Sequence, residues 1–132
     1  MGISRGLFMS YECIIQKKSQ YLRVDVSGDW SPGKELDDAL SVWTQVAEAC
    51  KTSGALVVLA VWDVPGRLPT MPAYQLGSMA DSFGLGHKFK LAIVHLNEDR
   101  LNDSLFAETV AVNRGFQVKM FSDETQALSW LL

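Results

Sequence analysis

Hydrophobic and polar positions alternate in YLRVDVSG, Tyr21 to Gly28: Leu22, Val24 and Val26 fall on one side, Arg23 and Asp25 on the other. A period of two is the signature of a half-buried strand. YECIIQ, Tyr11 to Gln16, is also β-rich, and the polar KKSQ between the two runs suits a hairpin turn. An antiparallel pair is therefore predicted near the start of the chain. SGDWSPGKE reads as a connector. Beyond it, Leu36, Leu40, Trp43, Val46 or Ala47, and Cys50 recur at three- and four-residue steps. That spacing predicts an amphipathic helix of about four turns. Pro32 near its start and Gly54 near its end suit helix termini.

The pattern then changes. ALVVLAVW, Ala55 to Trp62, is continuously apolar and β-branched, as a strand covered on both faces reads. DVPGRLPTMP holds three prolines and is read as a loop, with Thr70 as an N-cap for a helix over Met71, Tyr74, Met79 and Phe83. DSFGLG, Asp81 to Gly86, looks like a phosphate loop or a serine switch, but such a loop follows a strand and opens a helix. Here a helix precedes and a strand follows, so Gly84 is read as the left-handed residue of a helix C-cap. FKLAIVHL, Phe89 to Leu96, predicts a second central strand.

NEDRLND is polar, and Asn102 or Asp103 is expected to cap SLFAETVAVNRG. Leu105, Phe106, Thr109 and Val112 are expected to form its inner stripe, with Gly115 ending it. FQVKMF alternates, with Phe116, Val118 and Met120 on one face. Ser122 is expected to cap a last helix docked by Ala127, Leu128, Leu131 and Leu132. The order β-β-α-β-α-β-α-β-α implies a mixed five-stranded sheet, mostly parallel with right-handed crossovers and an antiparallel N-terminal strand.

Composition narrows the function classes. The 132 residues fit one domain spanning 1–132. With 48% hydrophobic and 20% charged residues, the chain can build a core and is not a disordered one. A formal net charge of −3, with Lys17–Lys18 the only local basic cluster, argues against nucleic-acid binding. The longest apolar run, Ala55 to Trp62, is far below a membrane span. On count alone Cys13 and Cys50 could form a disulfide, but no secretory signal is visible, so a cytoplasmic, reducing compartment is expected, with both as free core thiols.

Candidate chemistry gathers at one edge. In open α/β sheets, ligands favour the carboxyl ends of parallel strands. Those ends carry Trp30, Trp62, Asp63, His95, Asn97 and Phe121. If the strands are neighbours, Asp63 and His95 could approach, and Ser31 or Thr70 would complete a hydrolytic triad. No G-x-S-x-G elbow supports that reading, and the plainer one has Asp63 capping a turn and His95 bonding the backbone. Two histidines and two cysteines without H-x-x-x-H or C-x-x-C spacing make no metal site, and no cofactor is expected. Trp30 and Trp62 flank the ligand-favoured edge and could line an apolar pocket; core packing is the simpler alternative.

NRGFQVKMFSDETQALSWLL, with HKFKLAIV before it and VSGDW at the early corner, resembles the SpoIIAA-like family. That family is related to the STAS domains of sulphate transporters and anti-sigma factor antagonists. The resemblance runs from about Tyr21 to the end. It implies a right-handed βα superhelix, shared distantly with Sec14/CRAL-TRIO-like lipid-transfer domains, and no known reaction. In the sigma-antagonist branch, an Asp-Ser-Ser-Gly-Leu serine opens the helix after the first central strand and accepts a phosphate. Here DVPGRLPTMP stands at that place, its only hydroxyl is Thr70, and the motif is missing. Thr70 is thus the phosphorylation candidate the resemblance leaves. The resemblance and the lack of a catalytic constellation favour a non-enzymatic module acting through protein contacts. A carrier or sensor for an apolar ligand is the alternative, and a hydrolase using Asp63 and His95 the second. A homodimer is the default expectation for so small a module.

Overall fold

The computed structural model describes residues 2–4, 11–29, 33–65, 71, 75 and 86–132. The strands are β1 (Gly2–Ser4), β2 (Tyr11–Lys17), β3 (Leu22–Gly28), β4 (Val57–Asp63), β5 (Lys90–His95) and β6 (Gln117–Phe121). The helices fully within the described residues are α1 (Glu35–Ser53), α2 (Glu98–Asn113) and α3 (Glu124–Leu131). Met71 and Gln75 are helical, while Thr70, Phe83, Gly84 and the rest of the helix expected there lie outside the described residues.

One sheet runs β1-β2-β3-β4-β5-β6. β1 and β2, and β2 and β3, pair antiparallel. β3 to β6 are parallel. The sheet thus carries six strands, not five: Gly2–Ser4 adds an edge strand beside Cys13–Ile15. Three residues are too few to show a period, so this strand leaves no sequence signal.

Strand alternation divides the core into two layers. On one face, Cys13, Val24, Val26, Val58, Ala60, Trp62 and Ile93 meet Val42, Trp43 and Val46 of α1, and Ala111 of α2 belongs to the same cluster. On the other face, Leu59, Val61, Ala92 and Val94 meet Ala127 and Leu131 of α3. β4 and β5 contribute to both layers, which is why their sequences are continuously apolar. Each fully buried Val or Leu in these layers contributes roughly 1.5–3 kcal/mol through removal from water.

Polar contacts fasten α3 at both ends. Arg23 on β3 bonds Asp25 through Nε at 2.9 Å and Glu124 through Nη1 at 2.8 Å. These bonds hold the Glu124 carboxyl below the usual carboxylate range. At the other end, Lys90 Nζ donates to the Trp130 carbonyl at 2.8 Å and lies 4.6 Å from the centroid of its ring. A cation at a helix C-terminus also complements the dipole. The N-cap is Asp123, one residue later than expected at Ser122: its Oδ1 accepts from Thr125 N and Gln126 N. Leu132 is 60% exposed and does not dock.

α1 ends as expected, with Gly54 in the left-handed region at φ 77° and its N–H on the Cys50 carbonyl. α2 departs from expectation twice. Asn97 caps it, accepting Arg100 N at 2.9 Å, so the helix starts at Glu98, and Asn102 and Asp103, the expected caps, lie inside it. Its buried residues are Arg100, Ser104, Ala107 and Ala111. The expected inner stripe is turned outward: Leu105, Phe106, Thr109 and Val112 are exposed. Small residues on the inner side let the helix lie close to β6 and β5, and the larger apolar residues are left outside.

Candidate functional site

The carboxyl ends of β4 and β5 bring Trp62 and His95 together. The two are register partners in parallel strands, and Leu96 N donates to the Trp62 carbonyl at 3.0 Å. Registered residues share a face, so both rings lie on the α1 side. Trp62 sits between Trp43 and His95, with ring centroids 5.7 Å and 6.0 Å away. It is 4% exposed. Trp62 is therefore packed into the core at its α1 side.

His95 is buried, and its Nδ1 has no hydrogen-bond partner. Burial, and then the positive charge of Arg100, push the imidazole down to about 3. At neutral pH the ring is uncharged. Arg100 is itself buried, on the inner side of the first turn of α2. A lone cation inside a polar run gives no hint of burial. The readable signal is the spacing of Arg100, Ser104, Ala107 and Ala111 along one helix face.

The hydrolytic pairing is not assembled. Asp63 follows Trp62 in β4 and turns to the opposite face, where it is exposed. His95 stays on the α1 face beside Trp62. A base and its orienting carboxylate need hydrogen-bond reach, and opposite faces of a sheet deny it. Trp30, Ser31 and Thr70 lie outside the described residues.

Other groups are chemically quiet. Cys13 and Cys50 are free and buried, and burial pushes each thiol up to about 11. Thiols so raised carry little thiolate at neutral pH and are poor nucleophiles. Among the described residues, no group of three or more His, Cys, Asp or Glu could hold a metal ion. No helix among them is long and apolar enough to cross a membrane. A groove of about 650 Å³ opens near the C-terminus of α1, bordered by Glu48, Lys51, Leu56, Gly86, Lys88 and Phe89. It sits toward the amino ends of β4 and β5, away from Trp62 and His95.

The outer side of α2 is the more distinctive surface. Leu105 is 42% exposed and Val112 48%, with Phe106 at 43%. Leu101 is half-buried on the same side. Leu101, Leu105 and Val112 stand at steps of four and seven and form one apolar stripe, while Phe106, next to Leu105, falls about 100° away from it. Clustered apolar exposure of this kind marks contact sites more often than scattered single residues do.

No family model matches the chain, and no curated protein matches it. Solved structures do. An anti-sigma factor antagonist from Mycobacterium paratuberculosis superposes with a TM-score of 0.59 at 15% identity, covering 92% of this chain and 94% of that one. An uncharacterised DUF3478-family protein from Shewanella loihica PV-4, with a SpoIIAA-like fold, superposes with a TM-score of 0.51 at 20% identity. That match covers 99% of this chain and 100% of the other. The fold is therefore the SpoIIAA-like one that the closing residues of the sequence resemble.

Proposed function

We propose, with the SpoIIAA-like fold as the premise, that this chain is a single-domain, non-enzymatic module that works by docking other protein surface against the outer face of α2. The observation that carries this reading is the inverted helix: Ser104, Ala107 and Ala111 face the sheet while Leu105 and Val112 face solvent. The anti-sigma factor antagonist among the structural neighbours supports a protein partner. The opposite faces taken by Asp63 and His95 count against the hydrolytic alternative. Two free, buried thiols suit a reducing compartment such as the cytoplasm.

One observation favours a second reading, a small apolar ligand held at the Trp62 edge: His95 Nδ1 is buried beside Trp62 without a partner. Trp30 would have to complete that pocket. Native mass spectrometry of freshly purified protein separates the two readings. The docking reading expects the bare chain mass, 14.6 kDa, or an integral multiple of it. A stoichiometric small-molecule adduct, lost in a Trp62→Ala variant that still folds, would establish the ligand reading instead.

A further inference from the structure

We infer that the surface docked on α2 is the α2 of a second copy, paired antiparallel about a twofold axis. The inference rests on the docking reading above and names its occupant. The helix is self-complementary. Glu98 and Asp99 make its first turn acidic, no basic residue lies in its last turn, and exposed Arg114 stands at its C-cap. Between these ends run Leu101, Leu105, Thr109 and Val112.

Antiparallel pairing places Leu101 of one copy against Val112 of the other and brings the two Leu105 side chains near the axis. Glu98 of each copy then lies toward Arg114 of its mate. An isologous interface of this kind uses one patch twice, and closure follows from the symmetry. Both ends gain opposite-charge neighbours, and the two helix dipoles run antiparallel.

The β6 edge, which lies beside α2, does not compete for this role. β6 is an edge strand, and the N–H of Met120 already donates to Glu108 Oε1 of α2 at 2.6 Å. A covered edge donor discourages strand-to-strand pairing. α2 is about 24 Å long at 1.5 Å per residue. A contact of that size falls below the standard interface, so association is reversible and concentration-dependent.

Sedimentation velocity of the full chain over a concentration series tests this. Wild type is expected to move from 14.6 kDa to twice that mass. Leu105→Glu, at an exposed position, is expected to leave circular dichroism unchanged and to weaken dimerisation at least tenfold. Glu98→Arg and Arg114→Glu each make both charge pairs repulsive and should weaken it about tenfold. Mixing these two variants makes both pairs attractive again in the heterodimer and should restore association toward the wild-type affinity.

A wild type that stays monomeric up to about 1 mM overturns the inference. So does a dimer indifferent to Leu105→Glu, or charge variants that associate no better mixed than apart. If wild type is monomeric yet a photoreactive group at Leu105 captures a different protein, self-pairing fails and the docking reading stands. With neither self-association nor capture, both fail.

Discussion

Acid is expected to destabilise this protein chiefly through His95. Its imidazole is pushed from 6.5 to about 3, chiefly by burial and then by Arg100. Above pH 6.5 the ring is neutral in folded and unfolded chains, and stability has its full value. Between 6.5 and about 3 the unfolded chain binds a proton that the folded chain refuses, so stability falls with pH. Below about 3 both states carry the proton and the loss levels off. Each tenfold difference in proton affinity between the two states is worth about 1.4 kcal/mol, which puts the full loss at up to about 5 kcal/mol. Glu124, held low by Arg23, adds a loss of the same sign at the acidic end of this window. Urea unfolding followed by tryptophan fluorescence between pH 8 and 4 measures the slope. His95→Gln keeps a polar neutral group and should flatten the curve between about pH 6.5 and 5, above the range in which carboxylates titrate. Parallel curves for wild type and variant would remove His95 from the account.

Trp62→Ala is expected to cost about 3–5 kcal/mol, the range for deleting a buried aromatic side chain. The indole is on a central strand, in the core layer under α1, and packed by Trp43 and His95. For a chain of this size, such a loss lowers the melting temperature by roughly 10 °C or more. Calorimetry on the two proteins is decisive between roles. If Trp62 lined an open ligand pocket, its truncation would leave the melting temperature within a few degrees of wild type and abolish ligand retention. The packing predicts the reverse, a large thermal loss with no ligand to release.

Much of this fold is readable from pattern because each central strand carries its own label. Val57–Asp63 and Lys90–His95 are apolar on both faces and lie between two core layers. Leu22–Gly28 alternates because one of its faces is polar, where Arg23 meets Asp25 and Glu124. Helix α2 is turned against its hydrophobic pattern for a physical reason. Hydrophobicity alone sends Leu105 and Val112 inward, but the closeness of helix and sheet is set by residue size, and Ala107 and Ala111 take the inner side. Asn97 followed by Glu98 and Asp99 does carry a start signal, hidden in a run that reads as loop.

The site is less legible. Which strand-end residues share a face depends on register between strands, a property of no single segment. Pairing Trp62 with His95 joins those two and sends Asp63 away. The same pairing turns an expected ligand-edge tryptophan into a core residue and leaves His95 buried, neutral and short of one partner.

Docking on the outer face of α2, as proposed, depends on the apolar stripe around Leu105. A photoreactive residue placed at Leu105, with Ser129 on the outer side of α3 as control, tests it inside cells. Both positions are exposed, so accessibility is matched. Protein adducts are expected from position 105 and few from 129, with those from 105 lost when Val112→Lys is added to spoil the apolar stripe. Adducts of equal yield from both positions, or adducts from 105 that survive Val112→Lys, would contradict it.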